Sequence, residues 1–344
     1  MKRLLSFAIL CGILLLIVGC SKGEQQVVQD DPQIEPDEEQ IEDEKLPFIH
    51  PLTGEPTDEL SDVRPIAVSV NNHPKARPQS GLVDADIIYE VLAEGEITRF
   101  IALFQSKQPE NVGPVRSARG YFIDLLNGYD AMFVTHGWSP EAQQMLEKQG
   151  KADYLSGLSY DGTLFKRSKE RKAPHNSYIT YAAMLEGFEK RGYALSREVE
   201  PLTFVDEDEE EPIGSTAESV MIDYLSSYKV EYRYDSATKH YTRYSDGVQT
   251  VDHETGAPIE AANIFIVEMD HRTVDNEGRR EINLTSGGKG LLIQRGIIQE
   301  VNWVNENGRI LPVMNGDLVG FYPGQTWINI IPSKPGLEQS VHSS

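Results

Sequence analysis

The sequence predicts two folded parts of different class: an α+β or mixed α/β N-terminal domain, then a mostly β C-terminal domain built as a small meander, barrel or sandwich. Three observations carry this. Strand-like and helix-like stretches interleave up to about Pro201. An acidic run, Asp206-Glu207-Asp208-Glu209-Glu210-Glu211, then interrupts the chain. Beyond Gly214, short β-type segments are punctuated by turn signals such as SGGKG, NENG, NGD and PGQ, the spacing of an all-β unit. A chain of 344 residues exceeds one typical domain and fits two.

Residues 65–71 (PIAVSVN) read as a buried strand. Residues 86–92 and 97–104 are β-branched or aromatic runs separated by Ala-Glu-Gly-Glu, a hairpin signal. Residues 119–127 have a helical pattern, and residues 131–135 (AMFVT) form a short apolar strand. Ser139-Pro140-Glu141 opens a helix: a capping serine, proline at the first position and an acid in the first turn. Residues 181–191 are amphipathic, with Thr180 as cap and Gly192 as the C′ glycine. Consecutive strands without an intervening helix favour mixed or antiparallel pairing. In the second part, residues 229–235 alternate and place Val230, Tyr232 and Tyr234 on one face. Residues 239–244 and 263–270 are further strands.

The N-terminus gives an address. Lys2 and Arg3 precede an apolar stretch over residues 4–19, broken only by Ser6, which is a signal-peptide pattern. Ile17-Val18-Gly19-Cys20 resembles a bacterial lipobox, in which the cysteine is acylated and the chain is cut before it. The expected location is the cell membrane, lipid-anchored through acyl chains on Cys20, on its extracytoplasmic face. Each buried methylene contributes about 0.8 kcal/mol, so one chain holds marginally and two hold stably. Cys11 leaves with the signal and Cys20 is consumed by lipid. No free thiol then remains for a nucleophile, a thiolate metal site or a disulfide.

The expected organisation is a signal peptide over 1–19, then the lipidated Cys20 with an acidic disordered tether over 20–46. A mixed α/β domain spans 47–201, an acidic linker 202–214, a β-rich domain 215–333 and a flexible tail 334–344. Residues 24–46 hold ten acids and one lysine, too little apolar surface to offset their ordering entropy. Much of the net charge of −22 thus sits in the tether and the 206–211 run, and the folded body is only mildly acidic. That balance, without aromatic–basic interleaving, disfavours nucleic acid as a partner.

Several stretches together resemble the YerB-type bacterial lipoproteins, a two-domain family of unknown function. They include PIAVSVNNHPKARPQSGL from Pro65, ADIIYEVLAEGEITRFIALFQS from Ala85 and GPVRSARGYF from Gly113. HGWSPEA from His136, YDGTLFKRSKERKAPHNSY from Tyr160, YTRYSDGVQTVDHETGAPIEAANI from Tyr241 and GFYPGQTWINIIP from Gly320 continue it. The resemblance implies an exported, lipid-anchored, two-domain protein. It implies no activity and no catalytic residue.

Chemistry is expected in the N-terminal half. Gly113-Pro114 fixes a turn, and the helical pattern after it would offer unpaired N–H groups. On that helix Arg116 and Arg119, three apart, would share one face and cradle a phosphate or carboxylate; pairing with acids such as Glu90, Glu94 or Asp124 is the competing reading. Lys166-Arg167-Ser168-Lys169-Glu170-Arg171-Lys172 is strongly basic, and Pro174-His175-Asn176 follows. The expected ligand-binding set is Arg116, Arg119, Arg171, Lys172, His175 and Asn176, in an envelope binding or scaffold module. Its ligand would be an anionic wall polymer or an envelope protein held between the domains. The alternative is an enzyme acting on wall polymers, with His136 or His175 as acid/base, Glu94 as carboxylate partner and the arginines stabilising charge. Asn71-Asn72-His73 and His136-Gly137-Trp138 sit at strand ends, common positions for site residues. No cofactor and no metal site is expected: there is no HExxH, P-loop or GxGxxG motif, and Ser139 lacks the second glycine of a nucleophile elbow. The aromatic residues Tyr232, Tyr234, Tyr241, Tyr244, Trp303 and Trp327 would line a carbohydrate groove or fill the core.

Overall fold

The computed structural model describes residues 46–206, 211–225 and 227–344. The signal peptide, Cys20, all but the last residue of the tether and the centre of the acidic run lie outside the described residues. The chain is mostly β, with mixed helices and strands in the N-terminal half and a β-rich C-terminal half.

The halves share one twelve-stranded sheet. From the N-terminal half it takes β1 (Ile66–Asn71), β2 (Ile87–Glu94), β3 (Ile97–Phe104), β4 (Met132–Thr135) and β5 (Tyr154–Ser156). A short three-stranded sheet includes β6 (Phe165–Arg167) and β7 (Ser177–Thr180). A second sheet, in the C-terminal half, contains β8 (Ser219–Leu225), β9 (Tyr228–Asp235) and β10 (His240–Ser245). The large sheet then continues with β11 (Asn263–Met269), β12 (Gly288–Gln294), β13 (Ile297–Glu306), β14 (Arg309–Met314) and β15 (Thr326–Pro332). Its order runs β14-β13-β12-β11-β15-β2-β3-β1-β4-β5, with Asp317–Leu318 beyond β14 and Ser215–Thr216 paired to β13.

β15 is the seam. It lies parallel to β11 on one side and to β2 on the other, with Thr326 opposite both Asn263 and Ile87. All seven of its residues are buried, as expected of a parallel strand covered on both faces. The C-terminal strands therefore extend the N-terminal sheet, in addition to forming the second sheet.

Alternation along the strands builds two cores. Val68, Val70, Ile88 and Phe100 face one side and pack with Val220, Ile222, Val230 and Tyr232 of the second sheet. On the same side α2 (Tyr181–Lys190) contributes Tyr181, Met184 and Phe188. Ala67, Tyr89, Val91 and Ile101 face the other side and pack under α1 (Gly120–Asn127) through Phe122, Leu125 and Leu126. Thr180 and Ser139 cap their helices as the sequence predicts, accepting from Ala183 N and Ala142 N. The aromatic set is mainly core: Tyr232, Tyr241, Trp303 and Trp327 are buried, so it forms no groove.

The tail, expected to be flexible, is ordered. In the tail, Leu337–Ser340 is a helical turn, and β16 (Val341–Ser343) pairs with β8, Val341 opposite Ile222. Backbone pairing and the burial of Leu337 and Ser340 hold it. The linker's flanks also dock: Leu202 is buried, and Val205 N donates to Phe321 O at 3.0 Å.

A buried polar cluster crosses between the sheets. Arg243 of β10 donates to Glu90 of β2 at 2.7 Å, with side chains 1% and 0% exposed. Glu90 also accepts from Thr98 at 2.8 Å and Tyr228 at 2.9 Å, and Arg243 donates to Ser245 and Thr250. The guanidinium lies over the Trp327 ring at 4.6 Å.

Candidate anion site at the carboxyl edge of the sheet

β11, β15, β2, β1, β4 and β5 all run in the same direction. Their carboxyl ends share one edge, the edge at which open α/β sheets bind ligands. β1 delivers Asn71-Asn72-His73 there, and β4 delivers His136.

The segment 113–118 is wedged between these two strand ends. Arg116 N donates to Ser69 O of β1 at 2.7 Å, and His136 N, following β4, donates to Arg116 O at 2.9 Å. Val115 N donates to Ser177 O of β7 at 2.6 Å. Arg116 is thus fixed among three strands, and His73, His136 and His175 gather around it, close enough for its charge to disfavour protonation of each. This corrects one expectation. The segment is extended, and α1 begins only at Gly120. Arg116 and Arg119, three apart in extended backbone, do not share a helix face.

Arg119 turns inward. It ion-pairs with Glu94, which also receives Arg99 at 2.6 Å, and both guanidinium groups are buried. Glu94 is therefore the counter-ion of two buried arginines, and it pairs with neither His136 nor His175. Glu94→Gln is expected to destabilise the fold by about 2 kcal/mol, a charged hydrogen-bond partner being lost; urea melts measure it, and anion binding should persist.

The basic segment is mostly occupied as well. Arg171 donates to Ala76 O at 2.9 Å, Pro78 O at 2.5 Å and Tyr178 Oη at 2.6 Å, stapling the loop after β1. Asn176 is buried; it donates to Ser168 O and accepts from Arg167, both at 3.1 Å. Arg167 of β6 grips Asp161 and also donates to His136 Nε2 at 2.9 Å. Lys172 is exposed. Of the predicted ligand set, only Arg116 and His175 lie together with an unoccupied polar face; Arg119, Arg171 and Asn176 serve the fold.

The polar atoms that remain are all donors. Arg116 is half-buried, and its guanidinium has no hydrogen bond or ion pair among the described residues, although none of its nitrogens is sealed from solvent. Burial, then Arg99, pulls its pKa down to about 10, so it remains charged at neutral pH. His73 and His175 stack with ring centroids 4.4 Å apart. Asn71 Oδ1 accepts from His73 N, so Asn71 Nδ2 must be the donor to His175 Nδ1 at 2.9 Å. His73 Nδ1 accepts from Lys75 N at 3.0 Å. Both Nδ1 atoms are acceptors, so each neutral ring carries its hydrogen on Nε2. Neither Nε2 has a partner among the described residues, and neither is sealed.

His136 differs. Its Nε2 accepts from Arg167, so Nδ1–H donates to Ser177 Oγ at 2.7 Å. The pKa values of all three imidazoles are lowered by burial first. Lys75 acts next on His73, His73 on His175 and Arg167 on His136. Sequence reasoning found the two strand ends, but the stacking of His73 on His175 has no local signal. A cleft of about 1060 Å³ lies elsewhere, lined in part by Asp124, Asp270, His271, Glu281, Asn305 and Ser333, and includes none of this set.

Residues 52–194 match the N-terminal domain, and residues 220–328 the C-terminal domain, of the family described as "Protein of unknown function (DUF3048)". The chain belongs to this family. It is 48% identical over 336 residues to "Putative lipoprotein YerB" of Bacillus subtilis (strain 168), covering 96% of each chain. The crystal structure of the YerB protein from Bacillus subtilis is similar at a TM-score of 0.80 and 51% identity, over 86% of this chain and 100% of that one. The expected family and two-part architecture are therefore shown. The two matched segments meet at β15 and β2. Among the described residues, no helix is long and apolar enough to cross a membrane.

Proposed function

We propose that this protein is an envelope binding module, held at the extracytoplasmic face of the cell membrane by acyl chains on Cys20. It presents an anion site made by Arg116, His73 and His175. The single observation that carries this is the half-buried guanidinium of Arg116, which has no carboxylate partner among the described residues. Removing a cation partly from water without a partner is costly, and an anionic ligand supplies the missing half. The name of the relative supports the lipid anchor.

The enzyme alternative has less support. A general base needs an imidazole that shows an unprotonated nitrogen to the substrate, and a general acid needs an imidazolium. The open nitrogens of His73 and His175 both carry hydrogen, and both nitrogens of His136 are engaged. The binding reading is tested with wall fractions. The wild-type chain should bind and lose affinity with salt, and Arg116→Ala should bind at least tenfold more weakly. Equal binding by the two proteins overturns it.

A further inference from the structure

Three segments meet around the two stacked imidazoles, and one of them belongs to the C-terminal half. The first, residues 72–81 after β1, carries His73. The second, residues 168–176 between β6 and β7, carries His175. The third, residues 246–256, follows β10. Each is bonded to the other two.

Arg171 joins the second segment to the first, through Ala76 O and Pro78 O. The third grips the first along its length. Asp246 receives Arg77 at 2.9 Å, and the same guanidinium donates to Asn72 Oδ1 at 3.0 Å. His253 N donates to Gln79 O at 2.8 Å, and Glu254 accepts from Ser80 Oγ at 3.0 Å. Asp252 is buried; its Oδ2 accepts from Gly81 N at 2.6 Å, while its Oδ1 accepts from Glu254 N and Thr255 N of its own turn. The third segment also holds the second. The Glu170 carboxylate accepts, so His253 Nε2–H donates to it, at 3.1 Å. His253 therefore touches both histidine-bearing segments, one through its backbone and the other through its ring.

A segment held from two sides has fewer ways to shift than one held from a single side. His73 and His175 stack where the first two segments meet, and the 246–256 segment braces both from the C-terminal half. Free loops lose conformational entropy when a ligand orders them; loops already fixed do not, so prior fixing raises affinity. Resting on the anion-site reading above, we infer that the 246–256 segment is the positioning element of that site, with His253 and Glu254 as positioning residues that keep His73 and His175 in place. Binding is then a property of the joined halves. The N-terminal half supplies the groups that face the anion, and the C-terminal half holds them.

The test compares two double variants of the full-length chain in detergent. His253→Ala with Glu254→Ala deletes the two outer grips and leaves the buried Asp252 in place. His253→Gln with Glu254→Gln keeps an N–H near the Nε2 position and a carbonyl oxygen for Ser80. Binding to wall fractions should fall about fivefold in the alanine pair, the net worth of about one hydrogen bond, and stay within about twofold of wild type in the glutamine pair. Proton–carbon spectra of the ligand-free imidazoles, which sense one ring stacked on another, should show His73 and His175 displaced in the alanine pair and restored in the glutamine pair. Thermal melts confirm that both variants fold. Wild-type binding by the alanine pair overturns the inference, and so do equal losses in the two pairs. Weakened binding with both imidazole signals unmoved also overturns it, because His253 or Glu254 would then be a ligand contact. If wild type and Arg116→Ala bind wall fractions equally, the anion-site reading falls and the spectra alone judge the brace: displacement restored by glutamine supports it, and any other pattern overturns it.

Discussion

Replacing Arg243 by methionine is expected to lower the free energy of unfolding by about 3–5 kcal/mol. The substitution keeps an unbranched stem against Phe100 and Trp327. It leaves Glu90 in a dry site with only Asn72, Thr98 and Tyr228 to satisfy its charge. The large cost comes from that stranded carboxylate and not from the worth of the pair itself. A second replacement, Glu90→Gln, removes the stranded charge, so the double variant should recover much of the loss. A coupling energy above about 1 kcal/mol in the double-mutant cycle, from urea melts, checks this. Because Glu90 stands on β2 and Arg243 on β10, and the large sheet is continuous through β15, the loss should appear as one cooperative transition. Separate melting of the two halves would contradict the account.

The second large effect falls on binding instead of stability. Arg116→Ala should weaken attachment to anionic wall fractions at least tenfold and leave the thermal midpoint close to that of the wild type. Its backbone bonds to Ser69 and His136 survive the change, and no side-chain partner is orphaned among the described residues. Arg119→Ala should do the reverse. It strips a buried counter-ion from Glu94, so stability falls while binding persists. Two arginines three residues apart are thus separated by function, and the pair of variants distinguishes a ligand-facing cation from a fold-holding one.

What was legible in the sequence had a local signal. Caps at Ser139 and Thr180, the hairpin between β2 and β3 and the apolar strand β1 all follow from adjacent residues. The site was legible as far as strand ends could point: His73 and His136 do lie where β1 and β4 finish. Three things were not legible. The shared sheet depends on β15 entering between β11 and β2, a pairing of strands far apart in the chain. The helix stands where the pattern over 119–127 puts it, but Arg116 lies ahead of it in extended backbone, with its N–H spent on Ser69, so the two arginines share no helix face. The charge of Glu94 could be counted, but which cations it would neutralise was set by tertiary contacts with Arg99 and Arg119.

The claim on which the function rests is that, among the described residues, the corner of this edge formed by Arg116, His73 and His175 shows an anion nothing but donors. Long-range proton–nitrogen correlation spectra of the imidazoles test it most directly, in the ligand-free protein at pH 7.5. His73 and His175 should each appear as the neutral form with hydrogen on Nε2 and a lone pair on Nδ1. Either ring found with hydrogen on Nδ1 and a bare Nε2 would place a base at the site, and the donor-only account would be wrong.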